Sequence, residues 1–151
     1  MRLRTNSRSY VVFMSNVVGR QRGQEVVIDE VSRDNNPPIF KMIYISYEVC
    51  KVAFYSGLRP FIGFDGCHLK GPFHGILLVA IGLDANVQMV PLAVAIMEIE
   101  NTKTWSWFII NLKNSIRNEL ETKPWACMSD RQKVNSYMSF NVKNLLHCLL
   151  K

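Results

Sequence analysis

Two aspartates in this sequence have surroundings that suit metal-dependent chemistry. Asp65 closes the short apolar run 60–64, and Asp130 closes a second short run at 125–129. Carboxylate oxygens are the ligands that hard cations such as Mg²⁺ and Mn²⁺ prefer. Carboxylates that converge on two such ions support phosphoryl transfer, because one ion activates the attacking oxygen and the other stabilises the leaving oxygen. The spacing of the two aspartates is no motif by itself, so the hypothesis depends on how the fold positions them.

The sequence around these aspartates predicts an α/β domain. Residues 60–65, 75–84 and 89–97 are predicted to form a three-stranded antiparallel meander, followed by a crossover helix and a fourth strand at 125–129. Proline is disfavoured in central strands, so Pro91 predicts that the third strand is outermost, with Glu98 and Glu100 at that far edge. Asp84 is interpreted as a turn residue.

The crossover helix is predicted to start at Asn101 or Thr102. Its apolar stripe consists of Trp105, Phe108, Ile109, Leu112, Ile116 and Leu120. A strand reached through a helical crossover usually lies parallel to an earlier strand. If the fourth strand pairs with the first, Asp65 and Asp130 lie side by side on strands about 4.8 Å apart.

Upstream of the meander, apolar residues recur at helical spacing from Ile39 to Phe54. This periodicity predicts a helix, with Pro38 in its first turn and Gly57 after its end. Residues 1–36 are interpreted as an irregular, basic leader.

The net charge of +6 is concentrated in that leader, since the first 24 residues hold five arginines and no acidic residue. A basic arm can strengthen DNA binding, and a solvated tail is the alternative interpretation. The apolar content of 48% is that of one globular domain, and no run reaches the length of a membrane-spanning helix. The four cysteines have neither CxxC nor zinc-ligand spacing, so we expect reduced thiols, with Cys127 buried.

The segment RPFIGFDGCHLKG at 59–71 resembles the sequence around the first catalytic aspartate of plant Mutator-like element (MULE) transposases. Four further segments resemble that family in the same order, and the resemblance extends over residues 37–133. They are LLVAIGLDAN at 77–86, PLAVAIMEIEN at 91–101, TWSWF at 104–108 and MSDRQK at 128–133.

This resemblance implies a DDE-type enzyme of RNase-H-like fold that cuts and joins DNA in the nucleus with Mg²⁺ or Mn²⁺. Asp65 and Asp130 match its first two catalytic, metal-binding carboxylates. Lys70, Arg131 and Lys133 are candidate DNA contacts. The implied partners are transposon-end DNA and other transposase chains, with no membrane.

The family's third carboxylate is a glutamate farther downstream, whereas residues 131–151 contain neither Asp nor Glu. We therefore expect a truncated core at 37–133, a divergent tail at 134–151 and no catalytic activity in this chain. The alternative function is that of a non-catalytic, domesticated module that binds DNA or protein. His68 is expected to be exposed in a hairpin, and Trp105 to lie in the core.

Overall fold

The chain is a mixed α/β protein built on one sheet. Its computed structural model describes residues 23–33, 36–70, 75–116, 125–129 and 146–148. The elements are β1 (Gln24–Arg33), β2 (Asn36–Tyr47), α1 (Glu48–Gly57), β3 (Phe61–Leu69), β4 (Gly75–Leu83), β5 (Met89–Met97), α2 (Thr102–Ser115), β6 (Trp125–Ser129) and β7 (Leu146–Cys148). The seven strands form one sheet in the order β1-β2-β5-β4-β3-β6-β7.

The centre of this sheet has the strand pairing that the sequence predicts. β3, β4 and β5 are joined antiparallel in sequence order, and β6 lies parallel to β3 on its other side. α2 connects β5 to β6 as a crossover. The C-terminal ends of β3, β5 and β6 therefore point toward the same edge of the sheet.

The prediction that the third strand is outermost is wrong. β5 pairs along its second half with β2, where Ala93–Met97 lie opposite Met42–Ser46. Pro91 precedes that ladder, so its missing N–H costs no bond to β2. On the β4 side the register shifts next to Pro91, between Ala80 and Ile81. A proline at the start of a strand is thus compatible with a central position.

The helix predicted from Ile39 to Phe54 is also wrong over most of its length. Residues 36–47 form β2, and only Glu48–Gly57 are helical. β2 lies between β1 and β5, and Ile43 and Tyr44, whose side chains point to opposite faces, are both fully buried. A strand buried on both faces carries apolar side chains on both, so some of its apolar residues also match a helical spacing.

The irregular leader assigned to residues 1–36 is corrected for its last part. Gln24–Arg33 form β1, which pairs antiparallel with β2. Charged side chains at Glu25, Asp29 and Glu30 made this segment look like solvated chain. Such charges are common on the edge strand of a sheet, which is the position of β1.

The main core lies between one face of the sheet and the two helices. The predicted stripe of α2 is buried from Trp105 to Ile116, and Leu120 lies outside the described residues. Cys127 is buried in the same core, as expected. Asn101 caps α2: its side chain accepts from the N–H groups of Lys103 and Thr104. No helix in the described part of the chain is long and apolar enough to cross a membrane.

Candidate functional site

Asp65 lies in the middle of β3 and not at its end. The strand continues to Leu69, because its ladder with β4 runs on to the Leu69–Gly75 pair. The ladder with β6 is shorter, and its last described pair is Phe64 with Ser129. Asp65 is therefore the first residue of β3 beyond the described part of β6. The expectation of a strand ending at Asp65 failed because the following residues, Gly66 to His68, carry no obvious strand signal.

The side chain of Asp65 points away from the helices. Its neighbours Phe64 and Gly66 face α2: the Phe64 ring meets Phe108 edge to face, and a Cβ added to Gly66 would lie 3.4 Å from the Trp105 ring. Because side chains alternate along a strand, Asp65 is on the opposite face. It is exposed there, and its Oδ1 accepts the N–H of Gly66 at 2.7 Å.

Gly66 also leaves room for the side chain of Leu78 on the neighbouring strand. A Cβ at this position would lie 2.9 Å from Leu78 Cδ2, and Leu78 is fully buried. The space for any side chain beside Asp65 on the helix face is already filled by Leu78 and Trp105. The glycine after the aspartate therefore has a packing role.

Of the other residues assigned to the site, the structure describes only Lys70. Lys70 directly follows β3 and is exposed. Asp130, Arg131 and Lys133 lie outside the described residues, so the distance between Asp65 and Asp130 stays a prediction. Within the described ranges, no three His, Cys, Asp or Glu side chains are grouped so as to hold a metal ion.

A second group of polar residues lies at the same edge of the sheet. His68, Glu98 and Glu100 line an open cavity of about 460 Å³ together with Leu69, Gly75, Ile76 and Ile99. Glu98 and Glu100 were expected at a far edge, but they line this cavity together with His68 from the end of β3. His68 is exposed, as expected.

The sequence contained a signal for this cavity. β3 and β5 are each antiparallel to β4, so they run in the same direction and their C-terminal ends share one edge. The residues that close β3 and the residues that follow β5 therefore lie at the same end of the sheet, with the start of β4 between them. This follows from the predicted meander alone, because the direction of β5 is the same whether it is an outer or an inner strand.

The carboxylates of the cavity are held by named partners. Lys41 Nζ donates to Glu98 Oε2 at 2.8 Å, and Trp105 Nε1 donates to Glu100 Oε1 at 3.1 Å. Trp105 is fully buried, as predicted, and its indole N–H is satisfied at the edge of the core. Both glutamates are thus oriented by neighbouring elements.

Comparison with known proteins adds an independent result to this geometry. The family model described as the MULE transposase domain matches residues 61–139, a little over half of the chain. That range begins at the start of β3 and includes both aspartates. Searches of curated proteins and of solved structures find no match. A transposase-related function and interaction with DNA follow from the family match. By this match, the chain belongs to the MULE transposase domain family.

Proposed function

We propose that this domain is the RNase-H-like core of a DDE-type transposase, in which Asp65 and Asp130 bind Mg²⁺ or Mn²⁺ for DNA cleavage and strand transfer. One observation carries the proposal. The parallel ladder between β3 and β6 pairs Phe64 with Ser129, and an aspartate directly follows each of these two residues in sequence.

Continuing that register by one residue would place Asp130 beside Asp65. Adjacent strands are about 4.8 Å apart, which is within reach of one shared cation. Paired residues of neighbouring strands project to the same face, so Asp130 would join Asp65 on the face opposite the helices. The exposed position of Asp65 leaves room for DNA to approach.

The described residues supply one of the two carboxylates proposed to bind a hard cation. Both proposed ligands are carboxylates, which suits Mg²⁺ and Mn²⁺, but Asp65 is the only one of them among the described residues. A bound divalent ion would lower the barrier by polarising a phosphoryl oxygen and activating water. Asp65 and Asp130 would hold that ion, and Lys70, Arg131 and Lys133 would contact DNA phosphates.

The sequence supplies no third carboxylate after Asp130, because residues 131–151 contain neither Asp nor Glu. Two carboxylates bind an ion more weakly than three and stabilise less of the charge that develops during phosphoryl transfer. We therefore propose that these 151 residues bind metal weakly and do not catalyse strand transfer by themselves. Action on chromosomal DNA would place the protein in the nucleus.

Metal binding tests this proposal directly. Mn²⁺ titrated into the ¹⁵N-labelled chain should broaden the amide signals of Asp65 and its strand neighbours, and Asp65→Asn and Asp130→Asn should each abolish the effect. Asp29→Asn is the matched control, since Asp29 is an exposed strand aspartate in β1. Broadening that survives both site variants, or that is equally lost in the control, would reject the shared site. The chain should also fail to cut DNA in Mn²⁺, and metal-dependent cleavage lost in both site variants would reject the inactivity.

A second function, DNA binding without chemistry, is favoured by the five arginines and the absence of acid in the first 24 residues. Under this hypothesis, deleting residues 1–24 abolishes DNA binding and Asp65→Asn leaves it intact. Because β1 begins at Gln24, a deletion that stops at residue 22 separates loss of the arginines from damage to the sheet. Retention of full DNA affinity after that deletion would reject the role of the basic segment.

A further inference from the structure

We propose that the apolar segment 10–18 of this chain packs on the face of the sheet opposite the two helices. This inference goes beyond the proposed function, because it concerns which part of the chain covers the sheet. The face is built from two rows of side chains that cross β1, β2, β5, β4 and β3.

The strand register defines the two rows. The first row consists of Ile28, Ile43, Ile96, Leu77 and Cys67. The second row consists of Val26, Ile45, Val94, Val79 and Asp65. Residues paired on adjacent strands project to the same face. Tyr44, which lies between the two rows in β2, packs beside Phe108 of α2. Side chains alternate along a strand, so both rows are on the other face.

This face is apolar across four strands. The eight members of the rows on β1, β2, β5 and β4 are all valine, isoleucine or leucine. Ile28 is 38% exposed, and six of the other seven are half-buried. A contiguous apolar surface of this kind marks a place where another segment or another protein packs.

The burial of Ile43 favours an occupant from this chain. Ile43 is fully buried, although it is not part of the core cluster between the sheet and the helices. Phe54 of α1 and Trp105 of α2 both belong to that cluster, so the two helices of the described ranges pack on the other side of the sheet. The neighbours of Ile43 in its row, Ile28 and Ile96, keep exposed surface. A further part of the same chain is therefore needed to cover Ile43.

The topology directs the later segments to the helix side. α2 is the crossover from β5 to β6, and β7 lies parallel to β6, one strand farther in the same direction. Crossovers between parallel strands are right-handed, and two crossovers of one hand that advance in one direction lie on one face. The connection 130–145 is therefore expected on the side of α2, as is 117–124, which joins α2 to β6. The connections 34–35 and 71–74 are too short to cover the face, which leaves the segment before β1.

The segment 10–18 has the spacing and the reach for this role. Its apolar residues recur at intervals of three and four, as on one face of a helix: Tyr10, Phe13, Met14 and Val17. Residues 19–23 separate it from β1 and can span up to about 17 Å, whereas β5 lies two strand spacings, roughly 10 Å, from β1. Gly23, directly before β1, has a φ of 85°, which lets the chain change direction there.

The position of the rows links this packing to the candidate site. Both rows end on β3, one at Asp65 and the other at Cys67. The segment is flanked by Arg8 and Arg20, so its packing would hold basic side chains on the face that carries Asp65. This consequence for DNA rests on the proposed function, whereas the packing itself does not.

Nuclear Overhauser effects (NOEs) in the full chain test the proposal. In a uniformly ¹³C,¹⁵N-labelled sample, the side-chain protons of Phe13 and Val17 should show NOEs to the methyl groups of Ile45, Val94 and Ile96. These three residues lie on β2 and β5, at the centre of the two rows.

Variants of the segment separate a specific contact from general apolar character. Val17→Ser and Phe13→Ser should each cause loss of these NOEs and stronger binding of the dye anilinonaphthalene sulfonate, which reports exposed apolar surface. Val12→Ser is the matched control: it makes the same change in the same segment, but at a position on the far side of the stripe, and should leave both readouts unaltered. NOEs between the rings of Tyr44 and Phe108 report that the core stays folded in each variant.

Two results would overturn the proposal: no NOEs from the segment to the rows, or NOEs that survive in both Val17→Ser and Phe13→Ser. In a mixture of labelled and unlabelled chains, NOEs between chains in place of NOEs within one chain would assign the face to a second copy instead. These measurements contain neither divalent ion nor DNA. Their failure would leave the metal site at Asp65 untouched, and failure of the Mn²⁺ titration would leave this packing untouched.

Discussion

The hydroxyl groups of Tyr44 and Ser115 lie 2.9 Å apart inside the core and join β2 to α2. Ser115 also donates to Glu25 Oε2 at 2.8 Å, and Lys51 Nζ donates to the same oxygen at 2.6 Å. Since a serine has one hydroxyl hydrogen, Tyr44 is the donor to Ser115 whenever Ser115 donates to Glu25. Burial alone raises the pKa of Glu25, but the bonds from Lys51 and Ser115 and the charge of Lys51 outweigh it, so the pKa is lowered. These hydrogen bonds link Glu25 in β1 and Lys51 in α1 to Ser115 in α2 and, through it, to Tyr44 in β2.

Tyr44 should make the domain sensitive to high pH. Burial raises the pKa of its hydroxyl to about 12, whereas an unfolded tyrosine titrates near 10. The stabilisation is fully present below pH 10 and is lost as the pH rises toward 12, by an amount on the order of 2–3 kcal/mol. Urea unfolding measured at several pH values should show this decline. Tyr44→Phe should flatten it, and an equal slope in that variant would contradict the assignment.

The N-cap of α2 should contribute measurably to stability. The Asn101 side chain accepts from the N–H of Thr104 at 3.0 Å, and Thr104 Oγ1 accepts the Asn101 N–H at 3.0 Å. Asn101→Ala removes the acceptor of the Lys103 and Thr104 N–H groups and should lower the free energy of unfolding by about 1 kcal/mol. Chemical denaturation is the measurement. Asn114→Ala, an exposed change in the same helix, should have no destabilising effect, and similar losses in both would argue against the cap.

The turn between β4 and β5 contains a strained residue. Val87 has a φ of 65°, and it is 57% exposed. A β-branched side chain in the left-handed region costs roughly 1–2 kcal/mol, while glycine adopts it freely. Val87→Gly should therefore stabilise the domain by about 1 kcal/mol despite the added freedom of the unfolded chain. Thermal unfolding would show this gain, and Val87→Ile should show none; a lower melting temperature for Val87→Gly would contradict the prediction.

The position of β6 should depend on one aromatic pair. Phe54 in α1 stacks on Trp125 at the start of β6, with ring centroids 4.2 Å apart, and both side chains are fully buried. Phe54→Leu removes the stacking and leaves space beside the indole, so it should cost about 1–3 kcal/mol. Amide hydrogen exchange in β6 should accelerate more than exchange in β4, because β6 is short.

The control for this pair is in the same helix. Val52→Ala changes a side chain that is 53% exposed and should leave exchange in β6 unaltered. If Phe54→Leu accelerated exchange equally in β4 and β6, the pair would be a general core contact and not the anchor of β6. Loss of this anchor should also weaken Mn²⁺ binding, since Asp130 follows β6.

Several features could be read from local sequence because local interactions produce them. Asn101 precedes an apolar stripe at helical spacing, and the helix starts there. Asp84 begins a turn and its Oδ1 accepts the N–H of Gln88 at 2.7 Å. The amino-acid sequences of the segments around Asp65 and Asp130 indicated the MULE family, which the match over residues 61–139 confirms.

Other features depended on neighbours that are remote in sequence. The apolar residues within 39–47 fit a helix or a buried strand equally well, and the choice is made by β1 and β5 on either side. β1 carries several charged residues, and it forms a strand because its backbone pairs with that of β2. Asp65 lies within β3 and not at its end because β4 continues to pair with it as far as Leu69.

The sequence by itself determined the family, the central meander, the capped helix and the two candidate aspartates, because each rests on short-range pattern or on continuous similarity. Only the tertiary structure decided that β5 is an inner strand, with β2 on its second side. The physical reason is that backbone hydrogen bonds between strands do not depend on side-chain identity. The strand that pairs with the second side of β5 is therefore selected by how well the faces of the complete sheet are buried, which is a property of the assembled sheet.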